Sequence, residues 1–461
     1  MDTGLMLRLL VLRARLRRRD RWDAARIARH QARALRRLRR AAYAGSEFYR
    51  RHHAGLLGAP LSQLPPLTKA QLMANFDRVV TVPGLRLADV EEHLRALVAA
   101  RADPALPWRG RWWTGATAGT TGRPGIFVWD RSEWAAILAS YARSNDWAGV
   151  PVEVTHPVPM AVLASRTPTH QSAMVGASLR SRFVPALRLD AAAALAHTVA
   201  ALNRFQPRVL VGYPSALRPL AAEQRAGRLA IRPEAVMSAS EVLREPAAAE
   251  ITAAWGSAPI DVYAATETAV IASSCASGTR HVYEDLVIVE PVDDAGAPVP
   301  AGTVGARILV TVLFSRTLPL IRYELTDRVA LAGRGCPCGR SFVRLAAVEG
   351  RIEDVLLLPG ATGVVSVHPL LFHGVLDGAS LAGWQVNQEA DGLRVLVVGL
   401  APSVTAEAVR ARVDSALRDA GVTATPITVR VADAVERTPL GKAPLVRALP
   451  RTDTPRRGTT T

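Results

Sequence analysis

Between Asp190 and Tyr263 the chain alternates helical and apolar extended segments, and this alternation restricts the fold more than any other feature. The pattern predicts a helix over 191–205, a strand over 208–213, a helix over 215–226, a strand over 235–240, a helix over 245–255 and a strand over 260–263. Short strands joined by helices of this length bury both sheet faces, which implies parallel βαβ units. Apolar runs at 286–290 and 306–314 read as an antiparallel β segment. From Gly350 onward, short strands surround one helix over 404–420, as in a smaller α+β domain. The predicted class is therefore α/β: a large N-terminal domain over 1–349 and a smaller C-terminal domain over 350–461. A length of 461 residues suits such a division.

Residues 1–60 read as arginine-rich helices. Leu5, Leu9, Leu12 and Leu16 form an apolar stripe opposite the arginines. That stripe either lies on a membrane surface or packs on the first domain with a solvated basic face, and the second reading is the simpler. The net charge of +17 brings no recognised nucleic-acid motif or aromatic platform with it, so no nucleic-acid partner is expected. A basic field also draws small polyanions. No apolar run is long enough to cross a bilayer, and Arg8, Arg13 and Arg15 break the leading stripe too often for a signal peptide. A cytoplasmic location is expected. Further on, Thr68 and Gln71 form a capping box after Pro65–Pro66, and Asp130 caps a helix through Trp147.

The segment TAGTTGRPG, Thr117 to Gly125, follows Trp112–Trp113 and precedes Ile126–Phe127–Val128. Glycines let successive N–H groups converge on one anion. Threonine hydroxyls add donors and Arg123 adds fixed charge. The loop suits the phosphates of ATP, although it lacks the Gly-Lys-Ser/Thr of a Walker motif. Alone it reads equally as a glycine turn.

Three more clusters follow in order: DVYAATET (Asp261–Thr268), LIRYELTD (Leu320–Asp327) and VEGRIEDV (Val348–Val355). With the threonine–glycine loop, they resemble the adenylate-forming superfamily. LPPLTKAQLMANF (Leu64–Phe76), GYPSAL (Gly212–Leu217) and CPCGR (Cys336–Arg340) narrow the resemblance to the phenylacetate–coenzyme A ligase family and its deazaflavin-adenylylating relatives. The resemblance implies that Thr117, Gly119, Thr120, Thr121, Gly122 and Arg123 hold the nucleotide phosphates. Thr266 would touch the α-phosphate and Glu267 would ligate Mg²⁺, a hard cation suited to carboxylate oxygen. Tyr263 would stack on adenine beside Ala239, Ser240 and Glu241, and Asp327 with Arg351 would bind the ribose. Taken singly, Glu267 reads as a surface carboxylate and Asp327 as a strand-end cap. Tyr141, Trp147 and Tyr213 read either as an aromatic acid pocket or as core.

Only two of the 57 basic residues are lysine, Lys69 and Lys442. Lys442 lies in TPLGKAP (Thr438–Pro444), which resembles the family's catalytic-lysine loop, where a compact ammonium reaches between carboxylate and phosphate. The three cysteines, Cys275, Cys336 and Cys338, together with His281, supply the ligands of a closed, structural Zn²⁺ site. Without metal they are three reduced thiols and a histidine. Zinc-bearing members of the resembled family place these residues similarly. The chain departs from the family pattern at Arg123 (lysine), Ala264 and Thr326 (glycines) and the hinge residue Glu353 (aspartate).

These features together predict an ATP- and Mg²⁺-dependent enzyme. It would convert a small carboxylic acid to an acyl-adenylate and pass the acyl group to a thiol, with coenzyme A the first choice. The small domain would turn about Glu353–Asp354 to withdraw Lys442. An amine, carrier-protein or phosphate acceptor, or a non-catalytic relative, are the alternatives. Oligomeric state is not legible in the sequence.

Overall fold

The computed structural model describes residues 3–449 except 101, 118–123, 152–155, 165–166, 192, 352–354, 362, 368, 377–378, 380, 424 and 439–442, and the side chains of 351, 370 and 374. Packing divides the chain into two compact units that part between Gly350 and Arg351.

The first unit is built on a nine-stranded mixed sheet. Its order runs Asp327–Ala332, Arg344–Arg351, Arg280–Val282, Ala269–Ser274, Ile260–Ala265, Ala235–Ala239, Val209–Gly212, Met160–Ala164 and Ala186–Asp190. The last five are mutually parallel, and Ala269–Ser274 begins the antiparallel part. Helices Leu195–Phe205, Pro214–Arg225 and Glu245–Trp255 connect the parallel strands, as the alternating sequence requires. Strands Val287–Val292, Arg307–Val312 and Tyr323–Leu325 make a separate antiparallel sheet.

Four elements between Met160 and Phe205 differ from the sequence expectation. The helix predicted from Ala191 begins at Leu195, because Ala186–Asp190 is an edge strand and Ala191 is buried beyond its end. Strand Met160–Ala164 and helix Gln171–Leu179 were not anticipated. Alanine-rich segments carry strong helix propensity and little strand periodicity, so tertiary pairing decides their state.

The arginine-rich start folds as helices Thr3–Arg19, Ala24–Gly45 and Glu47–His52. Leu5, Leu9 and Leu16 are buried, so the leading stripe packs inward. It meets helix Arg131–Trp147, which Asp130 and Glu133 start with a capping box. Arg143, on this helix, is 1 % exposed. Its guanidinium donates to Asp285 at 2.7 and 3.0 Å and to the Leu16 carbonyl at 3.1 Å. It lies 3.1 Å from Asp20. Arg17 forks onto Asp146 at 2.9 and 3.0 Å.

The second unit carries a four-stranded sheet, ordered Ile427–Val431, Gly392–Leu400, Leu381–Glu389, Val446–Arg447, and a two-stranded hairpin, Leu356–Gly360 with Gly363–Val367. Helix Ala406–Asp419, capped by Thr405, buries Val409, Val413 and Leu417. Trp384, Val386, Val395 and Phe372 share its core.

Removing one partner of a buried ion pair strands the other charge, at a cost of about 3–5 kcal/mol. Arg143→Ala should therefore lower unfolding free energy by about that amount in urea titrations. Arg410→Ala, at a half-exposed residue whose surface pair with Glu407 it breaks, should shift it by less than about 1 kcal/mol.

Candidate active site

Parallel sheets offer ligand sites beyond the carboxyl ends of their strands, where chain leaves the sheet for the next helix. Three neighbouring strands end here at residues the sequence singled out. Val209–Gly212 runs into Tyr213, Ala235–Ala239 into Ser240 and Glu241, and Ile260–Ala265 into Thr266 and Glu267. Glu267 is 8 % exposed, a carboxylate almost withdrawn from water beside the Thr266 backbone. Tyr263 is half-buried at a β-bulge in the same strand.

Five non-glycine residues have positive φ among the described residues; two border these segments, Ser240 (69°) and Ala269 (61°), and a third, Arg322 (49°), precedes strand Tyr323–Leu325. Such conformations cost energy and persist only where surrounding contacts impose them. Ala269 directly follows the turn that carries Glu267 and Thr268, and Arg322 lies in the segment ending at Asp327. Ala264 and Thr326, where the resembled family has glycine, are not among the positive-φ residues. Their backbones accept a Cβ without strain.

Glu241 has a definite task. Its carboxylate accepts from the Ser215 amide at 3.1 Å and the Ser215 hydroxyl at 3.0 Å. This anion therefore closes the amino end of helix Pro214–Arg225 and fixes the loop that carries Ser240. Asp327 is 8 % exposed where Tyr323–Leu325 passes into Asp327–Ala332. Next to it, Arg328 reaches Glu349 at 3.1 Å, whose carbonyl accepts from Arg244 at 3.0 Å.

Thr117 closes the neck of the threonine–glycine loop. Its amide donates to the Gly125 carbonyl at 2.9 Å, and its hydroxyl accepts from the Gly125 amide at 2.8 Å. The neck continues the hairpin Trp113–Ala116 with Ile126–Trp129. Gly119, Thr120, Thr121, Gly122 and Arg123 lie outside the described residues, as do Glu353, Asp354, Lys442, the Arg351 side chain and the tail after Arg451.

Sequence reading passed over Gln171. It is 3 % exposed, donates to the Thr266 carbonyl at 2.8 Å and accepts from the Tyr141 hydroxyl at 3.0 Å. Two residues earlier, the Thr169 carbonyl accepts from the Ala116 amide at 2.9 Å. One short segment thus ties the loop neck to the turn bearing Thr266 and Glu267. No local motif marks Gln171, because its role exists only once distant strands are paired. Trp147 and Tyr213 are each 2 % exposed, and Trp147 packs against Tyr283 and Phe342 as core.

The cysteines and His281 form a second centre. Cys275 directly follows the strand Ala269–Ser274, His281 lies on Arg280–Val282, and Cys336 and Cys338 occupy a tight loop that Gly339 closes by donating to the Cys336 carbonyl at 3.0 Å. All four ligand atoms lie within 4.8 Å of one another. The sulfurs of Cys275 and Cys336 are 3.8 Å apart, and Cys338 Sγ is 3.3 Å from His281 Nε2. A tetrahedral ion with bonds of about 2.3 Å to sulfur and 2.0 Å to nitrogen spaces its ligands by roughly 3.8 and 3.5 Å. His281 Nδ1 sits 3.2 Å from the Phe342 carbonyl. Donation there leaves Nε2 as the free lone pair facing the thiols. Burial pushes both the Cys275 and Cys336 thiols up. At Cys336 the Cys338 amide and the Thr279, Cys338 and His281 side chains outweigh it and bring the thiol down to about 6.

No family model matches the sequence. Over 94 % of its length the structure has the fold of 2-hydroxyisobutyryl-CoA ligase. It superposes on 2-hydroxyisobutyryl-CoA ligase, captured after adenylation with an acyl-AMP, with a TM-score of 0.71 over 94 % of this chain and 91 % of that one, at 20 % identity. In sequence, the chain is similar to phenylacetate–coenzyme A ligases. It is 31 % identical to one from Thermus thermophilus over 186 residues, 38 % of this chain and 40 % of the relative. It is 25 % identical to one from Aromatoleum evansii over 259 residues, 53 % of this chain and 56 % of the relative. The matches thus span about half the length of these curated relatives. Both support the family that the sequence motifs resemble.

Gln171→Met keeps the side-chain volume but leaves the Thr266 carbonyl and Tyr141 hydroxyl unpaired. Unfolding free energy should fall by about 1–3 kcal/mol in denaturant titrations, and Tyr141→Phe in the same background should recover part of it.

Proposed function

We propose that this protein is an AMP-forming acid–thiol ligase. In the first half-reaction a carboxylate oxygen attacks the α-phosphorus of ATP, giving acyl-adenylate and releasing pyrophosphate. In the second, the thiol of coenzyme A attacks the acyl carbon, giving the thioester and AMP. The observation that carries this reading is the placement of Ser240, Thr266 and Glu267 just beyond the carboxyl ends of adjacent parallel strands, with Tyr263 within one of them, in a chain whose fold and partial sequence similarity are those of CoA ligases.

In this reading the nearly buried carboxylate of Glu267 holds Mg²⁺ through oxygen, the donor that this cation prefers. The ion would supply charge neutralisation at the phosphates. Thr266 donates its hydroxyl to the α-phosphate, Tyr263 presents its ring to adenine with Ala239 and Ser240, and Asp327 with Arg351 accepts and donates at the ribose. Thr117, Gly119, Thr120, Thr121, Gly122 and Arg123 grip the β- and γ-phosphates. Gln171 acts indirectly, by holding the Thr266 carbonyl so that hydroxyl and carboxylate face one substrate without reorganising. Residues 350–461 form a mobile domain turning about Glu353–Asp354. Lys442 supplies the ammonium that offsets charge between carboxylate and phosphate in the first step only. The four-residue Cys/His cluster fits a structural Zn²⁺, since it offers no open coordination position.

Pyrophosphate exchange with a panel of carboxylic acids tests the reading. At least one acid should support exchange, and Glu267→Gln should depress it by about 10²–10³-fold. Lys442→Ala should abolish exchange yet spare thioester formation from supplied acyl-adenylate. ATP binding without exchange for any acid would favour a non-catalytic relative.

For the second centre, elemental analysis should find one zinc per chain. Cys336→Ser with Cys338→Ser should lose the metal and lower the melting temperature. A metal-free native protein would retire the site.

A further inference from the structure

Helix Thr3–Arg19 carries a second apolar stripe that its packing does not use. Leu7, Leu10 and Val11 are 64 %, 52 % and 42 % exposed, and Ala14 is exposed beside them. At about 100° per residue these four positions occupy an arc of roughly 100°, opposite the buried Leu5, Leu9 and Leu16. Between the two stripes stand Arg8 and Arg15 on one flank and Arg17 on the other, with Arg18 at the carboxyl end of the outer stripe. Arg8, Arg15 and Arg18 are exposed and form no ion pair among the described residues. The helix holds no acidic residue.

The charge continues into helix Ala24–Gly45. Arg26, Arg29, Arg33, Arg36, Arg37 and Arg40 are all exposed, and their spacing confines them to one face of about 100°. From residue 3 to 45 there are fourteen arginines and two acids, Asp20 and Asp23. Both acids are engaged: Asp20 by Arg143 and the Trp147 indole at 3.0 Å, and Asp23 by the Arg26 amide it caps at 2.7 Å. Asp146 and Asp285, from outside the segment, engage Arg13, Arg17 and Arg19, and the exposed arginines that remain leave the segment with a net positive field.

We propose that the outer face of helix Thr3–Arg19 docks the protein on an anionic lipid surface. Exposed leucines flanked by arginines match an interface where acyl chains lie beneath anionic headgroups. A nucleic acid would use the arginines and leave the leucines idle. The inner stripe anchors the helix to the protein, so docking needs no unfolding. No helix of the described residues is long and apolar enough to span the membrane, and the contact proposed lies in the surface plane. The inference is independent of the adenylation chemistry.

The test is co-sedimentation of the full chain with vesicles of phosphatidylcholine alone, or with about one-quarter phosphatidylglycerol, in about 0.15 M salt. Binding should appear only with the anionic vesicles and weaken as salt rises. The double variant Leu7→Gln, Leu10→Gln changes exposed side chains only, and should keep the melting temperature and lose binding by about tenfold or more. Arg8→Gln with Arg15→Gln and Arg18→Gln should weaken binding as well. Absence of binding to anionic vesicles overturns the proposal, as does binding unchanged in the leucine variant. Leucine-insensitive binding to duplex DNA that displaces vesicles would reassign the face to a polyanion. A dimer in solution that the leucine variant dissolves, without vesicle binding, would reassign it to a second copy of the chain.

Discussion

The guanidinium of Arg143 is the fixed point around which the large unit is assembled. Fully buried, hydrogen-bonded to Asp285 and the Leu16 carbonyl and ion-paired with Asp20, it joins segments that are far apart in sequence. Its ring neighbours Tyr283 and Phe342 stack on the same cation, and Trp147, one helical turn on, meets the edge of His281. The helix carrying Arg143 also begins at Asp130, just after the loop hairpin, and offers the Tyr141 hydroxyl to Gln171. The loop neck, the turn bearing Glu267, the Cys/His cluster and the amino-terminal helices therefore hang from one buried helix. A charge held by two carboxylates and a carbonyl in low dielectric is costly to shift by even an ångström. Such stiffness is what electrostatic preorganisation at the strand ends requires.

The legible part of the fold is the part set by local rules. Alternating strands and helices from Val209 to Ala265 were readable because each element is punctuated: Pro214 opens one helix and Gly256, in the left-handed region, closes another. Thr68 and Asp130 were readable as caps for the same reason. The edge strand Ala186–Asp190 was not, since its sequence favours helix and only pairing with Met160–Ala164 holds it extended. At the site, Thr266 and Glu267 stood out by motif. Gln171 did not, because a glutamine gains meaning only when pairing brings the Thr266 carbonyl to it. Glu241 was visible as a position but not as the anion that fixes Ser215.

The amino-terminal helix shows how a periodicity can mislead by being doubled. One stripe of leucines facing one stripe of arginines would give a strong amphipathic signal. Here Leu5, Leu9 and Leu16 face inward while Leu7, Leu10 and Val11 face out, so a second apolar stripe lies opposite the one at Leu5, Leu9, Leu12 and Leu16 that the sequence displays. Burial separates what the sequence superimposes.

Arginine serves two unlike purposes in this chain, and geometry tells them apart. Some arginines complete the interior. Arg322, 4 % exposed, donates to the Ser62 and Leu64 carbonyls and to Glu290, while Arg39, 8 % exposed, donates to the Leu56 and Ala59 carbonyls. A planar fork with five donors can satisfy several backbone acceptors from one buried position, which an ammonium on a flexible stem does less well. These residues contribute little field outside, because carbonyls and carboxylates enclose them. The surplus that does reach solvent is concentrated in the first two helices, where the acids are already engaged. A net charge of +17 is thus not a uniform coat but largely a local one. Its location beside an exposed apolar stripe, rather than its size, gives it functional meaning.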